Sequence, residues 1–243
     1  MTDDRYHFSS QQLYWVSENV IAHDFPRLEL ALRDPDGLLA IGGDLSSKRL
    51  LDAYRKGIFP WFNLGQPIMW WSPDPRCVLE PEELKISRSL QKTLRNSAYQ
   101  TTLNHAFEEV IVACAEPRPG SDETWITDDI ILAYCNLHHQ GYAHSIEVWH
   151  EDKLVGGLYG IAIDRVFFGE SMFSRMSDTS KIALVKLRDF LQPYEFRLID
   201  CQVYSPHLGT LGAKPVARPL FQSILQNYCE ELSPKDWSAQ LLA

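Results

Sequence analysis

The sequence has 243 residues, 45% of them hydrophobic and 23% charged, with a formal net charge of −9. That length suits one large domain or two modest ones, and the composition is that of an ordinary soluble globular chain. No apolar run approaches a membrane-spanning length, and the acidic balance argues against non-specific coating of nucleic acid while leaving room for a local basic patch. The opening MTDDRYHFSSQQ lacks the basic-then-apolar pattern of an export signal. Five scattered cysteines, none in a CxxC pair, read as reduced thiols. Together these lead to the expectation of a cytoplasmic protein.

The first residues are polar and loosely specified, with a short helix expected from Ser9. Leu38–Ile41 reads as a strand ended by Gly42-Gly43. Asp44 or Ser46 can cap a helix over 47–56, whose inner face is Leu50, Leu51 and Tyr54, and Gly57 suits the left-handed position after it. Trp61, Trp70 and Trp71 follow closely. They serve either as a wedge between two domains or as a platform for a planar ligand such as a nucleobase. Ser72-Pro73-Asp74-Pro75 is the expected boundary, giving a small N-terminal domain over 1–74 and a larger domain over 75–243.

Cys77–Leu79 reads as a strand, and Pro81 begins a helix or turn. Lys85, Arg88, Lys92 and Arg95 recur at spacings of three and four, which predicts one side of a helix. Such a stripe is either a solvated face or a contact for phosphates. Phe107–Cys114 reads as helix, 116–123 as loop, and Thr127 or Asp128 as the cap of a helix running to Gln140 and closed by Gly141. Strands are expected over Ala143–Trp149 and Leu154–Ile163, where Gly156, Gly157 and Gly160 suggest a bulge or a close approach of backbone.

The most informative stretch is Val166–Val203. It reads as a strand over 165–170, a polar loop, a helix that Asp178, Thr179 or Ser180 could cap and Pro193 stops, and a strand over 196–203. A strand–helix–strand unit of this length predicts a crossover between parallel strands, with ligands near the strands' carboxyl ends. Glu170 and the Asp200/Gln202 pair lie there. Alternation would set Asp200 and Gln202 on one face, roughly 7 Å apart. From Ser205 onward the chain holds His207, a Lys214/Arg218 pair and a helix over 220–230.

No nucleophile elbow, phosphate loop or HExxH motif is present. His138, His139 and His144 lack the spacing of a zinc site and read as surface histidines; no metal is expected. Cys201 is expected to face away from Asp200 and Gln202, without a cation or histidine to activate it. What remains is direct transfer between two positioned substrates. Asp200 could accept a proton from an amine, directly or through Gln202, and Glu170 could hold a cation. Alternatively, both acids are structural and bonded to loop amides.

GLLAIGGDLSSKRLLDAYRKGIFPWF (37–62), WWSPDPR (70–76), TWIT (124–127), GYAHSIEVW (141–149), LVGGLYG (154–160), FFGESMFSR (167–175) and DCQV (200–203) carry a resemblance across most of the chain. In these strings the sequence resembles the bacterial leucyl/phenylalanyl-tRNA–protein transferases. The resemblance implies an α/β (α+β) protein with a small N-terminal α+β domain and a larger acetyltransferase-like (GNAT-type) mixed-sheet domain. It implies a monomeric enzyme that takes Leu or Phe, with Met left open, from aminoacyl-tRNA. The acceptor is the α-amine of proteins beginning with Arg or Lys, and the product carries a degradation signal.

By the same resemblance Asp200 and Gln202 match a base and its relay, and Glu170 an acid beside the acceptor. Tyr54, Trp61 and Trp125 fall near the terminal adenosine, Met172 and Leu184 match walls of the pocket for the leucyl or phenylalanyl side chain, Ser174 is a further substrate-binding residue, and Lys85, Arg88, Lys92 and Arg95 fall on the tRNA backbone. No cofactor is expected: 174–180 contains no glycine and holds Asp178, a poor cradle for the pyrophosphate of coenzyme A. The competing readings are an acyl-CoA-dependent N-acyltransferase on the same fold and a non-catalytic binder of basic N-termini.

Overall fold

The computed structural model describes residues 13–18, 25–96, 98–117, 124–230 and 236–242. The helix expected from Ser9 and most of the 116–123 loop lie outside them. The chain first forms β1 (Tyr14–Val16), β2 (Leu38–Gly42), α1 (Ser47–Arg55), β3 (Phe59–Pro60) and β4 (Met69–Trp71). These strands make a sheet in the order β1-β2-β4-β3. Ser46 caps α1 by accepting the Arg49 N–H, and Gly57 adopts φ +80° just beyond its end.

The second sheet is built from β5 (Arg76–Leu79), β6 (Gln100–Leu103), β7 (Ala143–His150), β8 (Lys153–Ile163), β9 (Val166–Ser174), β10 (Leu198–Gln202), β11 (Lys214–Val216) and β12 (Gln240–Leu242). Its order is β11-β5-β10-β9-β8-β7-β6-β12. Between these strands run α2 (Arg88–Asn96), α3 (Phe107–Ala115), α4 (Asp128–His139), α5 (Thr179–Leu191), α6 (Pro206–Thr210) and α7 (Arg218–Tyr228). The architecture is thus α+β with a mixed sheet: β9 and β10 are parallel, and the other pairings of this sheet are antiparallel. The crossover helix expected between them is α5.

One hydrophobic cluster joins the first sheet to α3, α4 and one face of the second: Leu39, Tyr54, Trp70, Ile111, Tyr134, Ile161 and Phe168 belong to it. The other covers the opposite face, where α5 sets Ile182, Leu184 and Leu187 against Leu158, Phe167 and Ile199. Buried on both faces, β8 is thinned by glycine where neighbours press closest. A Cβ on Gly156 would stand 2.3 Å from the Thr179 hydroxyl, and one on Gly160 2.2 Å from the Phe168 carbonyl oxygen.

Several local expectations are corrected. Lys85 lies before α2 rather than on it: Pro81–Glu83 makes a 3-10 turn, the Lys85 N–H bonds the Leu211 carbonyl, and Ser87 accepts the Leu90 N–H as the helix begins. The strand expected to end at Glu170 continues to Ser174. Asp178 occupies the N-cap of α5 with φ +66°, but its carboxylate bonds Lys181 at 2.8 Å instead of capping. His144 is no surface residue. It is 2% exposed and stacked 3.8 Å from Trp237, and burial pushes its imidazole down to about 3.

A two-bulge candidate active site

Two irregularities in neighbouring strands create the site. Opposite β8, Gly160 pairs with Gly169 and Tyr159 with Ser171, so Glu170 is an extra residue in β9. Opposite β5, Asp200 pairs with Val78 and Gln202 with Cys77, so Cys201 is an extra residue in β10. A bulge re-aims side chains and loosens pairing. Here β9 and β10 pair over Val166–Phe168 and Leu198–Asp200, short of both bulges. A cavity of about 370 Å³ opens there.

Glu170, Asp200 and Gln202 all line this cavity, as do Trp125 and Cys201. Its apolar wall comes from Met172 on β9 and from Leu184 and Leu187 on α5, one helical turn apart. His207 and Leu208 of α6 stand at another side. The cavity-lining position of Cys201 corrects the expectation that it faces away. Its thiol is nevertheless pushed well up by its contact with Cys77 and by burial.

The hydrogen bonds differ from those expected of a relay from Asp200 to the Gln202 side chain. Asp200 is fully buried and clasped by Arg76, with Nε 2.8 Å from Oδ1 and Nη2 2.6 Å from Oδ2. Oδ1 also accepts the Gln202 backbone N–H at 2.9 Å. Gln202 has φ +61°, and its side-chain Nε2 donates instead to Glu170 Oε1 at 3.0 Å. The physical reason is the bulge: with Cys201 inserted and Gln202 in the left-handed region, simple alternation no longer sets where position 202 points.

Glu170 is the most perturbed acid at the site. The Tyr54 hydroxyl lies 2.7 Å from its Oε1 and the Tyr134 hydroxyl 3.1 Å from its Oε2, and the two phenol oxygens also meet. Two phenol protons serve two of these three contacts when Glu170 is ionised, and its own proton completes the set when it is neutral. Burial raises its carboxyl to about 7, with the two tyrosine hydrogen bonds opposing that rise. Such a group exchanges a proton near neutrality.

The remaining expected residues divide. Trp125, Met172 and Leu184 border the cavity. Tyr54 is fully buried and reaches it only through Glu170. Trp61 is 44% exposed, tilted against Trp71 with ring centroids 5.6 Å apart, and does not line the cavity. Ser174 is likewise outside the lining, its hydroxyl bonded to the Met176 carbonyl and to Thr179. Lys85, Arg88, Lys92 and Arg95 are exposed. Two site residues do not stand out in the sequence. Tyr134 shares the buried face of α4 with Ile130 and Leu137, which is its only signal. Arg76 has one too: a charged residue opening a strand otherwise apolar implies a buried counter-charge.

The site thus sets an apolar slot beside a buried carboxyl raised to about 7. The family described as leucyl/phenylalanyl-tRNA protein transferase matches residues 78–226, and the family of its N-terminal domain matches 43–74. The chain is 54% identical over 228 residues to the leucyl/phenylalanyl-tRNA–protein transferase of Pseudomonas syringae pv. syringae (strain B728a), covering 94% of this chain and 99% of that one. It is 56% identical over 216 residues to that of Chromohalobacter salexigens, covering 89% and 84%. Among solved structures, a GCN5-related N-acetyltransferase from Kribbella flavida is 12% identical with a TM-score of 0.36, covering 66% of this chain and 57% of that one. At that score the likeness carries no argument. The sequence matches do: this chain belongs to the leucyl/phenylalanyl-tRNA–protein transferase family, and it is a transferase.

Proposed function

We propose that the protein transfers Leu or Phe from aminoacyl-tRNA to the α-amine of proteins beginning with Arg or Lys, as a cytoplasmic monomer, and so creates a degradation signal. The names of the relatives support the donor and the class of acceptor. The observation that carries the chemistry is the Gln202–Glu170 contact inside a cavity with an apolar wall. In this reading the chain divides near Pro75. Met172, Leu184 and Leu187 receive the donor's side chain, and Trp125, with Trp61 further out, serves the terminal adenosine. Tyr54 acts from behind Glu170, and Ser174 steadies the turn into α5.

In the reaction the amine nitrogen attacks the ester carbonyl carbon, the bond to the ribose oxygen breaks, and the amine loses one proton. The ribose oxygen leaves with a proton, so the sum is one ester and one amine giving one amide and one hydroxyl. Gln202 turns its Nε2 to Glu170, which leaves the amide oxygen to accept an N–H of the incoming amine. Glu170 takes the proton that the nitrogen sheds, and this proton passes on to the departing ribose oxygen, so the acid ends in the state in which it began. Asp200, engaged by Arg76 on both oxygens, anchors the Gln202 backbone rather than serving as the base. An α-amine titrates at about 8, so positioning matters as much as basicity; correct placement is worth more than the roughly 10²–10⁴-fold of a base. Lys85, Arg88, Lys92 and Arg95 present positive charge to the tRNA backbone.

The test is transfer of labelled leucine from leucyl-tRNA to a peptide starting with Arg. The reading expects transfer that ribonuclease pretreatment of the donor abolishes, and none to the same peptide starting with Ala. Transfer that needs acyl-CoA, or peptide binding without turnover under any donor, contradicts it.

A further inference from the structure

Arg76 touches neither substrate in the reaction just described, yet three hydrogen bonds and two aromatic rings hold its side chain. Its side chain is fully buried, and it meets Asp200 with two parallel hydrogen bonds of 2.8 and 2.6 Å. Nη1 donates to the Gly57 carbonyl at 3.1 Å. The guanidinium carbon lies over two rings, 4.7 Å from the centroid of Phe59 and 4.8 Å from that of Phe221. A planar fork bonded along its edge and packed against two aromatic rings is fixed in orientation.

The carboxylate it grips holds the backbone N–H of Gln202, the residue whose left-handed turn follows the bulge. The same corner of the chain reaches both acids. Tyr54, at the end of α1, bonds Glu170, while Gly57 and Phe59, just after it, hold Arg76. We infer that Arg76 is a positioning residue for the transfer reaction, locking Asp200 so that the bulge presents the Gln202 amide to Glu170. The inference rests on the proposed function. It adds that the small N-terminal unit is part of the catalytic apparatus, because its Gly57–Phe59 corner sets the guanidinium.

Lysine supplies the charge without the fork, so Arg76→Lys separates positioning from electrostatics. The expected result is a kcat at least tenfold lower, with KM for aminoacyl-tRNA and for the acceptor peptide within about twofold, because a misplacement of about 1 Å can cost 10²-fold. The double variant Arg76→Met/Asp200→Asn leaves no lone buried charge and should fold with the same low kcat. In a Gln202→Ala background, Arg76→Lys should lower kcat no further, since its effect passes through Gln202.

A wild-type kcat in Arg76→Lys overturns the inference. So does a loss equally large in the Gln202→Ala background, or failure of both Arg76 variants to fold, which would give the residue to the fold alone. A wild-type protein that transfers nothing sinks the proposed function instead. The Gln202–Glu170 distance in crystals of Arg76→Lys then decides: a broken contact supports the inference, and an unchanged 3.0 Å overturns it.

Discussion

The amide nitrogen of Gln202 lies 3.0 Å from a carboxylate oxygen of Glu170, and each residue sits at a bulge, on neighbouring parallel strands. The contact joins a group that can hold an amine to a group that can take its proton. Gln202→Ala should lower kcat by about 10²-fold or more while leaving tRNA binding nearly unchanged. Single-turnover transfer rates beside donor dissociation constants check this, and equal losses in both would move Gln202 from chemistry to binding.

Glu170 also has a signature in stability. Its carboxyl is raised in the folded state to about 7 from an ordinary 4.5, so between those values the folded chain holds a proton that the unfolded chain has lost. The stabilising effect is complete below about 4.5 and disappears as pH rises through 7. Above that, burying the anion costs on the order of 3 kcal/mol. Glu170→Gln, which cannot ionise, should therefore gain stability relative to wild type at pH 8 compared with pH 5. Denaturant titrations at the two pH values measure it, and a constant difference would show that the acid is not raised.

In the proposed function the apolar wall receives the donor side chain and so sets donor choice. Leu187→Phe adds a ring to the cavity and should disfavour phenylalanyl donors relative to leucyl donors. The change in the kcat/KM ratio should be about 10–200-fold, as expected for hydrophobic pockets. Leu184→Ala should shift preference the other way. A ratio unchanged in both variants would put the donor side chain elsewhere.

Charge reversal at Arg88, Lys92 and Arg95 of α2, and at Lys85 before it, should weaken donor binding and flatten its salt dependence. Each phosphate that is no longer neutralised takes about 0.7–0.9 from the slope of log K against log salt. Binding isotherms from low to moderate salt test this, and an unchanged slope would return the stripe to a solvated face.

What the sequence made legible was local or periodic. The switch from strand to helix to strand over Val166–Val203 foretold the parallel β9–β10 pair, and Ser46, Thr127, Gly57 and Gly141 marked helix ends where the structure has them. The glycines of β8 foretold a close approach. What stayed hidden depends on groups far apart in the chain. The Arg76–Asp200 pair spans 124 residues: Arg76 at the start of an apolar strand calls for a buried counter-charge, but nothing local says which acid supplies it. The bulges at Glu170 and Cys201 are relations of register between strands, which alternation within one strand does not record. His144 read as exposed because what buries it, Trp237, lies far along the chain, in the segment before β12.

The most direct test of the central claim is the pH profile of kcat/KM for an Arg-initiated peptide, measured in wild type and in Glu170→Gln. Below pH 7 the account predicts a limb of slope near two in wild type, from Glu170 at about 7 and the acceptor amine at about 8. It should fall to slope one in the variant, with a much lower rate. The groups around Glu170 include the phenols of Tyr54, Tyr134 and Tyr159, all pushed well up by burial, the Gln202 amide, and the Arg76–Asp200 pair. Identical profiles in the two proteins would contradict a proton-accepting role for Glu170.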